Sequence, residues 1–331
     1  MTIITYSQSK REYTEGVGSL FQRELLAYLT SVVLRTSFKR SKLFFTTAHN
    51  KIYHWKKINK LFNFFGDQLD KNSSINVDNL DFIKKKKIIY NLSFKFTEKF
   101  FLNLNKKIKK KIITDIRKKF WDINNIILKK NTIVLHLRNY SKGDYVLFDK
   151  SNIERSFPYQ IFSFNYNIPN QNSEFYRKWY VALINKIIVD NGLKKEKIII
   201  YLCSTGQKKE FKKIINDLSK LAKLKLLLNF NVYQTFKLMI SAEYLILSQS
   251  SFSYLASFLN IGKKYIREKF RHPLPPDVIL VKDYNLLKLP LFCYSFCKIL
   301  QLLFSIKLFF KYTDFNQIIK NKFNKLLKNR I

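Results

Sequence analysis

The sequence predicts an α/β protein built on doubly wound parallel sheets. Two observations predict the class and a third places its chemistry. Short, nearly unbroken apolar runs recur through the second half of the chain: TIVLHLR at 132–138, KIIIYLC at 197–203 and YLIL at 244–247. Strands buried on both faces read in this way. Between these runs lie stretches of helical period, and strands alternating with helices are the pattern of a parallel sheet. Finally, polar residues collect where three of the runs end, at His136-Leu137-Arg138, at Ser204-Thr205-Gly206 and at Ser248 to Ser251. Parallel sheets bind ligands beyond the carboxyl ends of their strands.

The chain opens with a glycine turn, Glu15-Gly16-Val17-Gly18-Ser19, leading into an apolar-periodic helix with Leu20, Leu25, Leu26, Leu29 and Val33. Glycines before a helix admit close approach of another group. Residues 42–46 read as a strand, followed by Ala48-His49-Asn50. From 58 to 130 the chain is dense in lysine, with KKKK at 84–87 and KKIKKK at 106–111 among aromatics. Lysine interleaved with aromatics is one signature of nucleic-acid binding. Residues 99–121 also fit a single helix with an apolar stripe and a solvated basic face, which is the better reading of this stretch.

After residue 130 the texture changes, which divides the chain into an N-terminal α/β domain (1–130), a nucleotide-binding-type domain (131–283) and a basic, apolar helical tail (284–331). In the second of these the expected elements are a strand at 132–138, a helix at 173–190, a strand at 197–203, a helix at 208–222, a strand at 225–229, a helix at 232–240 and a strand at 244–247. A turn through Ser248, Gln249, Ser250 and Ser251 then enters a helix carrying Phe252, Leu255, Ala256 and Leu259, with further strands at 262–266 and 278–281. A helix that starts directly after a strand points amides and a positive dipole end over the sheet, a seat for phosphate. Serine at Ser250 is also a preferred N-cap without any ligand.

The charge balance is extreme, with 61 Lys+Arg against 23 Asp+Glu. It points to an anionic partner, either a nucleic acid or an anionic membrane surface. The excess is mostly lysine and accompanies heavy Ile, Asn and Phe use, so nucleotide bias in the genome contributes to it. Cys203, Cys293 and Cys297 form neither a metal spacing nor an even disulfide set, and His49, His54, His136 and His272 are scattered. The N-terminus lacks an apolar signal core. These features predict a cytoplasmic, reducing location. The run LPLFCYSFCKILQLLFSIKLFF at 289–310 is interrupted by Lys298 and Lys307, which suits a packed or surface-lying helix better than a membrane span. In the tail, Phe315, Ile318, Ile319, Phe323, Leu326 and Leu327 share a helical face flanked by lysines. Residues 289–331 therefore either contact an anionic, cytosolic membrane face or dock on a domain, two readings that the pattern supports equally.

His136 and Arg138 alternate with Leu135 and Leu137, so both project to one side as the strand leaves the sheet. Arginine offers a planar fork of donors matched to phosphate oxygens. The plainer reading pairs Arg138 with Asp144 and gives His136 a polar core niche. No GxxxxGK[ST] is present, which argues against an NTPase. No Asp-x-Asp pair is present either, which argues against a metal-dependent nucleotide-sugar site.

TIVLHLRNYSKGD at 132–144 resembles the His-x-Arg-Arg…Asp motif of the fucosyltransferase-like glycosyltransferases, the α-1,2/α-1,6-fucosyltransferase superfamily. IIIYLCSTGQKKEF at 198–211 is similar to that family's second strand, which ends in Ser-x-Gly. TFKLMISAEYLILSQSSFSYLASFLN at 235–260 resembles its third motif, ending Ser-Ser-Phe-Ser-Tyr. GVGSLFQRELLAY at 16–28 and His49 are similar to its N-terminal glycine turn and the histidine that follows. The resemblance extends over roughly residues 14–282.

The resemblance implies a GT-B-like fold of two Rossmann-like domains and a metal-independent, inverting transfer of a sugar to a hydroxyl of a surface or lipid-linked glycan. The implied sugar is fucose from GDP-fucose or another nucleotide-sugar donor, with no cofactor. It assigns Arg138, His136 and Asp144 to catalysis. Gly16, Gly18, His49, Asn139, Ser204, Gly206, Ser250, Ser251, Phe252 and Ser253 fall on the donor side. In two places the chain departs from the pattern: Asn139 stands at the second arginine, and Glu243 at the acidic residue of the Ala-Asp pair. Two rivals follow, a basic nucleic-acid-binding protein and a relative made inactive by the loss at Asn139.

Overall fold

The carboxyl edge of a six-stranded parallel sheet organises the described part of the chain. The structure, a computed structural model, describes residues 2–7, 17–41, 52–67, 69, 75–77, 89–138, 174–267 and 272–281. Strands β5 (Lys129–His136), β6 (Ile199–Ser204), β7 (Lys223–Leu228), β8 (Ala242–Ile246), β9 (Lys263–Ile266) and β10 (Val278–Leu280) lie in the order β10-β9-β8-β5-β6-β7. Every described pairing is parallel. A four-stranded parallel sheet precedes it, β1 (Ile3–Thr5), β2 (Ser37–Phe38), β3 (Ile75–Val77) and β4 (Ile89–Leu92), in the order β2-β1-β4-β3. Met1–Arg138 and Ile184–Val281 form one compact unit, and Asn139–Leu183 with Lys282–Ile331 a second. Both sheets belong to the first.

Among the described residues the helices are α1 (Val17–Val33), α2 (Ile52–Leu61), α3 (Phe94–Asn103), α4 (Lys106–Asn124), α5 (Glu174–Asp190), α6 (Lys212–Ser219), α7 (Val232–Ser241) and α8 (Ser251–Leu259). Of the expected single helix at 99–121, the structure makes two. Ser93 caps α3 by accepting from the Phe96 amide at 3.2 Å, and Asn105 caps α4 by accepting from Lys107 at 2.8 Å. Leu104 between them is extended, so the chain turns where capping side chains outcompete continuous helix. Residues 208–222 likewise divide, into a 3-10 turn (Lys208–Phe211) and α6. The strand expected at 42–46 and all readings on 282–331 fall outside the described residues. Among the described residues no helix is long and apolar enough to cross a membrane.

Alternation assigns the faces of the large sheet. Val134, Cys203, Leu245, Leu247 and Ile266 join one buried cluster with Phe236 and Met239 of α7, Leu255 and Leu259 of α8, and Phe21 and Leu25 of α1. The N-terminal elements therefore share the core on the α7/α8 face. His136 follows Val134 by two residues and points to that face. Glu243 acts locally. Its carboxylate accepts the Asn131 amide at 2.5 Å, where Asn131 takes a left-handed φ of 53° and the β5–β8 register shifts.

The carboxyl end of α8 is held by a buried cationic knot. The Arg117 guanidinium of α4 donates to Phe258 O at 2.7 Å and Ser257 O at 3.0 Å, and forks onto both oxygens of Asp277 at 2.6 and 3.1 Å. The Trp121 indole donates to Leu259 O at 2.7 Å, and Lys264 donates to Asn260 O and Gly262 O at 3.0 and 2.7 Å. A helix end leaves its last carbonyls without partners, and these side chains supply them. Burial, together with the Arg117 charge and against the attraction of Asp277, pulls the Lys264 ammonium down to about 8. Burial alone would raise the Asp277 carboxyl, but Arg117 and Lys264 hold it below its ordinary value. Gly262 sits so close to Ala242 O and Glu243 O, 2.5 and 2.4 Å from where a Cβ would be, that no larger residue fits.

Candidate functional site

At the end of β5 the chain is braced from both neighbouring strands. On the β6 side, the Ser204 hydroxyl donates to Leu137 O at 2.9 Å, and the Leu137 amide donates to Cys203 O at 2.9 Å. On the β8 side, His136 Nδ1 lies 2.7 Å from Ser248 Oγ. These bonds fix the backbone from which Arg138 departs. The strand itself stops at His136, so Leu137 and Arg138 lie just past its end, with Arg138 half-buried and near enough for its charge to act on His136.

The turn after β8 is built from serines. Ser250 is extended (φ −142°, ψ 131°), and its hydroxyl accepts the Phe252 amide at 3.3 Å, so it is an N-cap as its residue type suggests. Ser253 is fully buried and lies 3.1 Å from Ser248 O and 3.2 Å from Ser250 O, to which its hydroxyl donates. Its part is to brace the turn from behind. The Phe252 ring lies 5.8 Å from the His136 imidazole. Ser251 and Phe252, half-buried, form the first turn of α8 over the sheet edge.

A second helix N-terminus meets the first. A Cβ built on Gly18 would lie 2.3 Å from the Phe252 amide nitrogen and 2.5 Å from the Ser251 carbonyl carbon. Only a residue without a side chain lets the start of α1 press against the start of α8. Two positive dipole ends thus converge beside the end of β5, where Arg138 adds a full charge. Gly18→Ala must push the two helices apart. It should cost about 1–3 kcal/mol in denaturant unfolding, as for other overpacked contacts, and weaken anion binding at the same seat.

His136 is 8% exposed and works as a neutral group. Burial, and then the Arg138 charge, lower its pKa from 6.5 to about 3. Its imidazole therefore orients and hydrogen-bonds, and it is a poor proton acceptor at neutral pH. A folded pKa below the unfolded one gives stability that is full above about 6.5 and is lost as pH falls toward 3. Between pH 6.5 and about 5, where few carboxylates titrate, unfolding free energy should fall with pH at up to about 1.4 kcal/mol per unit. Urea titrations across that window check this, and His136→Gln should flatten the slope.

The third strand end is occupied by internal bonds. The Gly206 amide donates to Asn229 Oδ1 at 2.9 Å, and Asn229 Nδ2 returns a bond to Gly206 O at 2.9 Å. Asn229 holds a left-handed φ of 52° at the end of β7, and its amide donates to Ser204 O at 2.9 Å. Sequence reading missed this clamp; asparagine directly after an apolar run was the available signal. The structure brings together His136, Arg138, Ser250, Ser251, Phe252, Ser253 and Gly18, with Ser204 and Gly206 one strand away. Gly16, His49, Asn139 and Asp144 lie outside the described residues. Among the described residues no group of three His, Cys, Asp or Glu side chains could hold a metal ion.

No protein-family model matches the chain, and no curated protein matches it. Solved structures of POFUT1 are similar to it. In complex with GDP-fucose, one crystal form matches at 14% identity over 79% of this chain and 71% of that one, with a TM-score of 0.28. A second GDP-fucose form matches at 13% over 84% and 73%, TM-score 0.29, and a GDP complex at 12% over 79% and 71%, TM-score 0.28. A likeness at this level of superposition fixes neither a shared site nor a shared activity.

Proposed function

We propose that the chain is a nucleotide-sugar glycosyltransferase of fucosyltransferase type, with GDP-fucose as the leading donor and a hydroxyl of a surface or lipid-linked glycan as acceptor. The observation that carries this reading is the seat itself. Arg138 follows β5 beside a neutral His136 that is tied to Ser248 of the turn, and that turn leads into the Ser250-capped start of α8, against which Gly18 sets the start of α1. The resemblance of 132–144 and 235–260 to the fucosyltransferase-like motifs supports the family reading, and the seat supports the chemistry. As the bond from the anomeric carbon to the donor phosphate breaks and the acceptor hydroxyl, losing its proton to solvent, bonds to that carbon, negative charge gathers on the departing diphosphate. A guanidinium and the preorganised amides of the helix start stabilise that charge without a metal. His136 holds Ser248 and the turn, and orients phosphate or sugar.

Turnover of a panel of GDP- and UDP-sugars by the purified chain tests the reading. Release of GDP from GDP-fucose is expected; no turnover of any donor overturns it. Asn139→Arg adds an arm. If the native chain only binds donor and the variant turns it over, the loss of the second arginine has silenced an otherwise intact site.

A further inference from the structure

The start of α4 carries a charge arrangement that its own fold does not use. Its first six residues are Lys106, Lys107, Ile108, Lys109, Lys110 and Lys111, with no acidic residue in the first turn. The N-terminus of a helix is its positive end, so lysines there are disfavoured. Pairs such as Lys106 with Lys110 and Lys107 with Lys111 repel at the i,i+4 spacing. One of the five is engaged within the fold, since Lys109 donates to Leu102 O at 2.8 Å and lies over the Phe101 ring. The other four are exposed. Further along, Asp115 and Asp122 balance Lys118 and Lys119, so the excess is confined to this end.

Two apolar side chains stand among these lysines, Leu102 at 57% and Ile108 at 45% exposure. None of the aromatic residues of α3 and α4 is exposed, so the patch offers no stacking platform for bases. Ammonium groups around exposed aliphatic side chains match a bilayer surface instead, where the charges meet anionic headgroups and the aliphatic groups enter the interface. We propose that Leu102, Lys106, Lys107, Ile108, Lys110 and Lys111 form a docking surface for an anionic lipid bilayer. Carried by α3 and α4, this surface uses none of the donor-seat residues, and on the proposed function it would hold the protein at the membrane where a lipid-linked acceptor is presented.

The test is co-sedimentation of the full chain with phosphatidylcholine vesicles containing about 30% phosphatidylserine. Reversing Lys106, Lys107, Lys110 and Lys111 to Glu should lower partitioning by about tenfold or more. The same number of reversals at Lys194, Lys195, Lys220 and Lys223, exposed lysines elsewhere, changes net charge equally and should lower it far less. Because Lys106→Glu and Lys107→Glu also place acids at a helix N-terminus, the reversed protein should unfold at a higher temperature than the parent, so lost binding cannot be ascribed to misfolding. Leu102→Ser with Ile108→Ser should weaken partitioning at unchanged net charge. Equal losses from the two quadruple variants would overturn the proposal. So would unchanged partitioning of the serine variant, or salt-sensitive binding of single-stranded RNA with no binding to vesicles.

Discussion

Replacing Arg138 with alanine should lower kcat/KM for the nucleotide-sugar donor by about 100- to 1,000-fold, the loss seen when one preorganised donor to a developing anion is removed. Arg138 leaves the sheet from a backbone pinned by Ser204 on Leu137 O, next to a His136 held by Ser248, and its charge acts on that imidazole. On the proposed function, a full charge at this sheet edge offsets the negative charge of a departing diphosphate, and this makes the expected effect large. Arg138→Lys keeps the charge but loses the planar fork, and should recover only part of the rate. The split between parameters is informative: a fall mainly in kcat marks charge stabilisation in the transition state, and a rise confined to KM marks ground-state binding alone. Unchanged kcat/KM in Arg138→Ala would remove Arg138 from the site.

The largest stability effect is expected at Arg117. Arg117→Met keeps much of the volume but deprives Phe258 O, Ser257 O and the Asp277 carboxylate of their donor. Removing one partner from a largely buried ion pair typically costs about 3–5 kcal/mol. Asp277 is 40% exposed, so solvent screens part of the loss, and about 3 kcal/mol is expected from urea unfolding. A second readout separates this from a generic core defect. The knot fixes α8, so the variant should also bind donor more weakly while folded, because the Ser250 end of the helix loses its anchor. A loss below about 1 kcal/mol would mean that the guanidinium bonds are replaced by water at little cost.

Much of the large sheet was legible. Runs such as KIIIYLC and YLIL became β6 and β8 because strands buried on both faces leave no room for a polar alternation. The N-cap at Ser250 was readable from one residue type. The small sheet was not: β1, β2 and β3 are two or three residues long, too short for any period to register. The helix read across 99–121 failed at Leu104 because apolar spacing continued through a turn that Asn105 imposes by capping. The residues that hold the candidate seat in place were the hardest to see. Arg117 meets Asp277 across 160 positions of sequence, and Gly18 meets Phe252 from the far end of the described chain. Neither pairing leaves a local signal. Gly18 looked like a ligand-approach glycine, and the structure shows a backbone contact that by itself requires a residue without a side chain.

The most direct test of the donor seat is a crystal structure of the chain with GDP. It should place the diphosphate against the first-turn amides of α8 at Ser251 and Phe252, within hydrogen-bonding distance of the Arg138 guanidinium, with His136 still bonded to Ser248. A nucleotide bound away from the carboxyl edge of β5 and β8, or a diphosphate that Arg138 does not touch, would contradict it.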